Sequence, residues 1–185
     1  MSSKEQFSTL ISKSQGTALE KVIEQILTSQ LINTSSFLNE PNIKKLGDKN
    51  KHYQTLHLFS YGTWKDYVKS QSKYISLTEP QSTKLKLLTL LELAKTHKQL
   101  SYSELKPLLD ITSSFQLEQI LFNAFNKGYL TGSINSETEL VKIITVCPRN
   151  NLKGTSSSKA QIDKWITNLE ETEKYINKRC KEMPK

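Results

Sequence analysis

Cysteine is scarce in this chain. There are two, Cys147 and Cys180, far apart and without a CxxC or a Cys/His neighbour. That excludes a fold built on disulfides and a cysteine-based zinc site, and reads as reduced thiols. Histidine is scarce too, with three. His52, His57 and His97 form no HxH or HExxH, so the sequence offers no metal centre. The six glycines are scattered, with no P-loop, no G-x-G-x-x-G and no G-x-S-x-G. The glycines of "YGT", "KGY" and "LTGS" read as single residues at element ends. Cys147 precedes Pro148 with no histidine nearby, so a thiolate nucleophile is not expected. No run of about eighteen apolar residues occurs, and "MSSKEQFSTL" lacks an apolar signal core. The expectation is a chain that is no enzyme, takes no cofactor, metal or small-molecule substrate, and meets no membrane.

What is present is ordinary globular composition over 185 residues, 36% hydrophobic and 24% charged, enough for a sizeable core. The formal net charge of +8 raises nucleic-acid binding. The excess is smeared, however: +3 over residues 1–80, +2 over 81–150 and +3 over 151–185. A phosphate footprint is clustered on one element or face, so nucleic acid is an unlikely partner.

The first 78 residues read as short helical repeats. Thr17 and Glu20 suggest a capping box ahead of a stripe of Leu19, Val22, Ile23, Ile26 and Leu27. "FLNEPNIKKLG" suggests a helix from Pro41 to Leu46 stopped by Gly47. "KHYQTLHLFSYG" suggests another, with Tyr53, Leu56 and Phe59 inward. Helices this short must stack to bury their stripes.

Residues 79–149 change character. Thr78 with Gln81, Ser101 with Glu104 and Ser113 with Gln116 each look like a capping box. The first of these helices is leucine-rich nearly all round, as a central core helix is. Pro107 shortens the second. The third carries Leu117, Ile120, Leu121, Ala124 and Phe125 and ends at Gly128. "YLTGSI" and "LVKIITV" then read as strands around the polar turn "NSETE". Three helices and a hairpin are the order of a winged helix. Its third helix would read DNA, yet it opens with Ser113, Ser114, Gln116, Glu118 and Gln119 and has no cation before Lys127. The wing tip offers Glu137 and Glu139. Pairing with another subunit fits better than groove reading, with "LVKIITV" as an exposed sheet edge.

"RNNLKGTSSSK" reads as a linker, with its middle at residues 150–157. An amphipathic helix over 158–181 follows, with Ile162, Trp165, Ile166, Leu169, Thr172 and Ile176 on one seam. Either it folds back or it meets helices of other chains.

The densest aromatic stretch, "LFSYGTWKDYV", could serve base stacking or form an elbow between helices. Cations are few around it, which favours the elbow. There Gly62 would stop one helix with a positive φ, and Thr63 and Asp66 would cap the next. Phe59 and Trp64 would pack the junction, with Tyr61 and Tyr67 half buried and their hydroxyls wet.

Taken together, "FLNEPNIKKLG", "YQTLHLFSYGTWKDYV", "LTEPQSTKLKLLTLLELA", "LSYSELKPLLDI" and "LEQILFNAFNKGYLTGSI" resemble the PCI domain family, named for the proteasome lid, the COP-nine signalosome and initiation factor three. The resemblance runs over about residues 36–149, with the last helix also fitting. It implies a mostly α fold: an N-terminal helical-repeat bundle, a winged-helix subdomain with a small antiparallel β-hairpin or sheet, and a C-terminal α-helix. It also implies a non-catalytic scaffold in cytoplasm and nucleus, whose partners are other PCI and MPN subunits of a large complex. The signalosome is the assembly it favours, with the lid and the initiation factor open. The signalosome removes the ubiquitin-like modifier Nedd-eight from cullin-RING ligases through a metal-dependent isopeptidase in a different subunit. By matching position, the winged-helix pairing surface would include Tyr129, Leu130, Ile134, Leu140, Val141, Ile143 and Val146. The bundle helix would present Ile162, Trp165, Ile166, Leu169 and Ile176.

Overall fold

The computed structural model describes residues 3–147 together with 149, 165–169 and 172. The chain divides after residue 150. The first part is helical and carries one small sheet.

Helix α1 (Ser3–Lys13) buries Ile11 fully, and its half-buried Phe7 meets the core residue Phe37 edge-on at 6.3 Å. Helix α2 (Thr17–Thr28) buries all five residues of its expected stripe. Its expected capping box is absent. Gly16, with φ 57°, is the N-cap, Thr17 is already helical, and Glu20 instead accepts from Asn50 Nδ2 at 2.9 Å. A 3-10 turn (Ser35–Asn39) leads into α3 (Pro41–Leu46), which begins on its proline and stops at Gly47 with φ 71°. Asn50 caps α4 (Lys51–Tyr61) through its side-chain oxygen, 2.8 Å from the His52 N–H. Leu56 and Phe59 are buried there, while Tyr53 is half buried.

After the short α5 (Trp64–Lys69) and a 3-10 turn (Gln71–Lys73), α6 (Glu79–Thr96) runs through the middle. It buries Leu85, Leu87, Leu88, Leu90, Leu91 and Ala94, as expected of a helix with few polar sides. The Gln81 side chain accepts from Thr78 N at 3.0 Å. In α7 (Tyr102–Leu109) the Ser101–Glu104 box is reciprocal, at 3.1 and 3.3 Å. Helix α8 (Ser114–Asn126) lacks its expected box, since Ser113 makes no side-chain cap bond. It ends at Gly128, φ 68°, where Tyr129 N reaches back to Ala124 O at 2.9 Å.

The sheet has three strands rather than a bare hairpin. β1 (Gln99–Ser101), β2 (Leu130–Asn135) and β3 (Leu140–Val146) lie in the order β1-β3-β2, all antiparallel. A three-residue strand is too short to show a period, and β1 is visible only through its pairing. The consequence is a correction: "LVKIITV" is the central strand and not an edge. Its register with β2 slips between Thr131 and Gly132, opposite Ile144. Ile144 is therefore the extra residue on β3, and Gly132 faces the irregularity from β2. A Cβ at Gly132 would press into the Lys142 carbonyl.

One hydrophobic cluster extends from Ile11 to Ile143 and includes buried residues of both the helical repeats and the winged helix.

Candidate interaction surfaces

The aromatic elbow lies between α4 and α5. Phe59 is fully buried; Tyr61 and Trp64 are half buried. Thr63 gives the Asp66 carboxylate two bonds, 2.9 Å from its N–H and 2.7 Å from its hydroxyl. The hydroxyl bond is the main cause holding Asp66 below the usual carboxylate range. Trp64 N donates to Thr89 Oγ1 at 2.8 Å, and Lys86 Nζ stands 4.6 Å from the Trp64 ring.

Two expectations change here. Gly62 has φ −90° and ψ 179°, extended backbone open to any residue. A Cβ there would press on the end of the Leu58 side chain, which would have to shift, so room and not backbone conformation favours glycine. The Tyr67 hydroxyl is engaged as well, accepting from Leu77 N at 3.4 Å.

The stretch also cradles a residue the sequence assigned to the linker. Arg149 is 2% exposed. Its guanidinium donates to Gly62 O at 2.9 Å, to Leu58 O at 3.1 Å and to Phe59 O. A cation among the last carbonyls of α4 meets the negative end of the helix. Burial pulls the Arg149 pKa to about 10, opposed by Glu92. No local pattern marks this arginine, which only the return of the chain brings to α4.

The α2 terminus is capped in the same manner. Gln81 Nε2 reaches Glu24 O at 3.4 Å and Lys84 Nζ reaches Ile26 O at 2.9 Å, both from α6. The Tyr129 hydroxyl donates to Gln30 O at 2.9 Å. Repeats and winged helix are thus joined by side chains of one serving carbonyls of the other.

In the wing, Leu130, Val141 and Ile143 are 1%, 0% and 4% exposed. They are spent on the chain's own core, which removes them from the expected partner surface. Tyr129, Ile134, Leu140 and Val146 are half buried, and Tyr129, Ile134 and Val146 pack against that core. The side chain that does stand out is Ile144, 70% exposed at the bulge. Glu118 accepts from the Tyr102 hydroxyl at 2.8 Å and from Ser136 at 3.0 Å. Burial, with Glu118 beside it, pushes Tyr102 to about 12. The wing-tip Glu139, at φ 50°, has its carboxylate 3.6 Å from Lys106.

The outer face of α8 carries Phe115 and Phe122, 66% and 56% exposed, with Gln119 between them. Their spacing of seven sets them on one face, away from the buried stripe. Both rings lie outside the apolar stripe by which the sequence marks α8, so no local period singles them out.

Beyond residue 150, residues 165–169 and 172 are helical, with Trp165, Ile166 and Leu169 exposed. Thr172 donates to Asn168 O at 2.7 Å. Ile162, Ile176 and the 150–157 linker lie outside the described residues. Among the described residues no three of His, Cys, Asp and Glu gather as metal ligands, and no helix is long and apolar enough to cross a membrane. His52 sits between Glu20 and Glu24, at 3.7 and 3.1 Å.

The sequence model of the PCI domain matches residues 17–143, well over half of the chain. A Drosophila melanogaster protein, COP9 signalosome complex subunit 7, is 30% identical over 181 residues, covering 96% of this chain and 65% of the fly protein. The subunit 7 of Dictyostelium discoideum is 28% identical over 141 residues, 75% of this chain and 54% of its own. That of Arabidopsis thaliana is 36% identical over 104 residues, 55% of this chain and 40% of its own. The chain thus spans less than two thirds of the length of each of these three relatives.

Proposed function

The chain belongs to the PCI domain family, and from that membership we propose that it is a non-catalytic scaffold subunit of a COP9 signalosome. The observation that carries the reading is the match to proteins named signalosome subunit 7, which in the fly protein extends over 96% of this chain. It favours the signalosome over the proteasome lid and initiation factor three. On this reading the partners are other PCI and MPN subunits, in cytoplasm and nucleus. The subunit supports removal of Nedd-eight from cullin-RING ligases while the isopeptidase lies in another chain.

Two surfaces suit assembly. One is the sheet, where β2 is the outer strand with no further strand partner among the described residues and Ile144 protrudes from the central β3. An added strand from a neighbour would pair with β2. The other is the last helix, through Trp165, Ile166 and Leu169, with Ile162 and Ile176 continuing the same spacing. Three large apolar side chains exposed within five residues are a helix seam awaiting partners.

Affinity purification from the native cell, with the intact chain and with residues 157–185 deleted, tests the reading. Co-purification of signalosome subunits with the intact chain and their loss with the truncation are expected. Recovery of lid or initiation-factor subunits instead would refute the assignment. Undiminished incorporation of the truncation would remove the last helix from the interface.

A further inference from the structure

A cavity of about 440 Å³ opens between the end of α2, the start of α6 and the end of α8. Its wall includes the apolar Ile32, Pro80, Leu87 and Leu88. Four donors line it: Thr83 and Lys84 from α6, Asn123 from α8 and Lys127 just past its end. Lys127 follows the last residue of α8 as its C-cap, and its N–H donates to Asn123 O at 3.1 Å, which keeps the two residues adjacent.

Three of the four donors lack acceptors. Lys84 gives one bond to Ile26 O. Among the described residues neither lysine has a carboxylate within 4 Å, and Thr83, Asn123 and Lys127 make no side-chain hydrogen bond. Glu79, the acidic side chain of the lining, pairs with neither lysine. Three of the other polar side chains are committed. The Thr28 and Ser29 hydroxyls donate to Glu24 O and Ile26 O, and that of Tyr129 to Gln30 O. Burial first, and the charge of Lys127 second, pull the Lys84 pKa to about 7. A role for Lys84 as the cap of α2 explains its bond to Ile26. It leaves unexplained why a second cation, an amide and a hydroxyl converge on the same space.

We propose that this cavity binds a small anionic ligand through a phosphate or carboxylate group, held by Lys84 and Lys127 with Thr83 and Asn123 as neutral donors. Its volume lies in the range of small-molecule sites, and the apolar wall would take the body of the ligand. The proposal goes beyond assembly and stands without it.

The test titrates the full chain with inorganic pyrophosphate and with citrate, at ionic strength held constant with NaCl. The readouts are melting temperature, amide chemical shifts and calorimetry in two buffers near pH 7.5. A saturable rise in Tm with shifts at Thr83, Asn123 and Lys127 is expected, together with net proton uptake as Lys84 regains its charge. Response to one anion over the other identifies the head group. K127Q changes an exposed side chain and keeps the fold; it should weaken binding about tenfold or more, the worth of one charge-assisted bond, and K84M likewise. No response beyond that of NaCl overturns the proposal. So does a response that K127Q leaves intact, since the anion then binds elsewhere.

Discussion

Replacing Arg149 by alanine withdraws its donors from Leu58, Phe59 and Gly62; Leu58 O keeps the Gly62 N–H, while the Phe59 and Gly62 carbonyls lose the guanidinium. An unsatisfied buried acceptor costs roughly 1–3 kcal/mol, so R149A should lower unfolding free energy by about 2–4 kcal/mol in urea titration. R149K should recover less than half, because an ammonium cannot fork across three carbonyls. Lys84 makes a different claim. Its folded pKa of about 7 lies below the ordinary 10.5. Between those values the unfolded chain holds a proton that the folded chain has released. Stability therefore rises with pH across that window, by up to about 1.4 kcal/mol per unit. Facing groups are Glu79, Lys127 and Tyr129, and the interval from about pH 7.5 to 9 avoids most of the tyrosine titration. Denaturant midpoints over that interval should climb in the parent chain, and the climb should flatten in K84M.

Among the elements, β2 depends on Gly132. A Cβ there meets the Lys142 carbonyl and the Ile143 Cα, backbone atoms that cannot swing aside. G132A should cost about 2 kcal/mol or more and broaden the amide signals of Thr131 and Ile144, read by thermal melts and NMR. Helix α8 supplies the other element-level expectation. Its first turns lack cations, its Glu118 is tied to Tyr102 and Ser136, and its outer face shows Phe115 and Phe122. Labelled duplex DNA should show only weak association that vanishes between about 50 and 200 mM salt, with no preference among sequences. Tight binding that persists at the higher salt, measured by anisotropy, would restore a DNA-reading role.

Across the whole molecule, the +8 charge acquires an internal use. Lys84 and Arg149 serve helix C-termini and join the repeats to the winged helix. Among the described residues the core cluster ends at Ile143, so deleting residues 157–185 should leave the unfolding free energy of the remainder in urea unchanged within about 0.5 kcal/mol. Loss of cooperative unfolding on that deletion would show the last segment to be part of the same fold.

Periodicity and capping chemistry were legible in the sequence: the α2 stripe, the all-round burial of α6, the Pro41 start and Gly47 stop, the boxes at Thr78 and Ser101, and the winged-helix order itself. These are local, set by neighbours three or four residues away. The stretch LFSYGT could be identified as an elbow for the same reason. Three features were decided only in three dimensions. β1 pairs with residues some forty positions later, which makes β3 central and turns Leu130, Val141 and Ile143 from an expected surface into core. Arg149 crosses about ninety residues to reach α4. The donors of the cavity come from α6 and the end of α8, two places that no spacing rule connects. Each depends on where the chain returns, and that follows from burying the whole apolar cluster at once, a condition no single segment records.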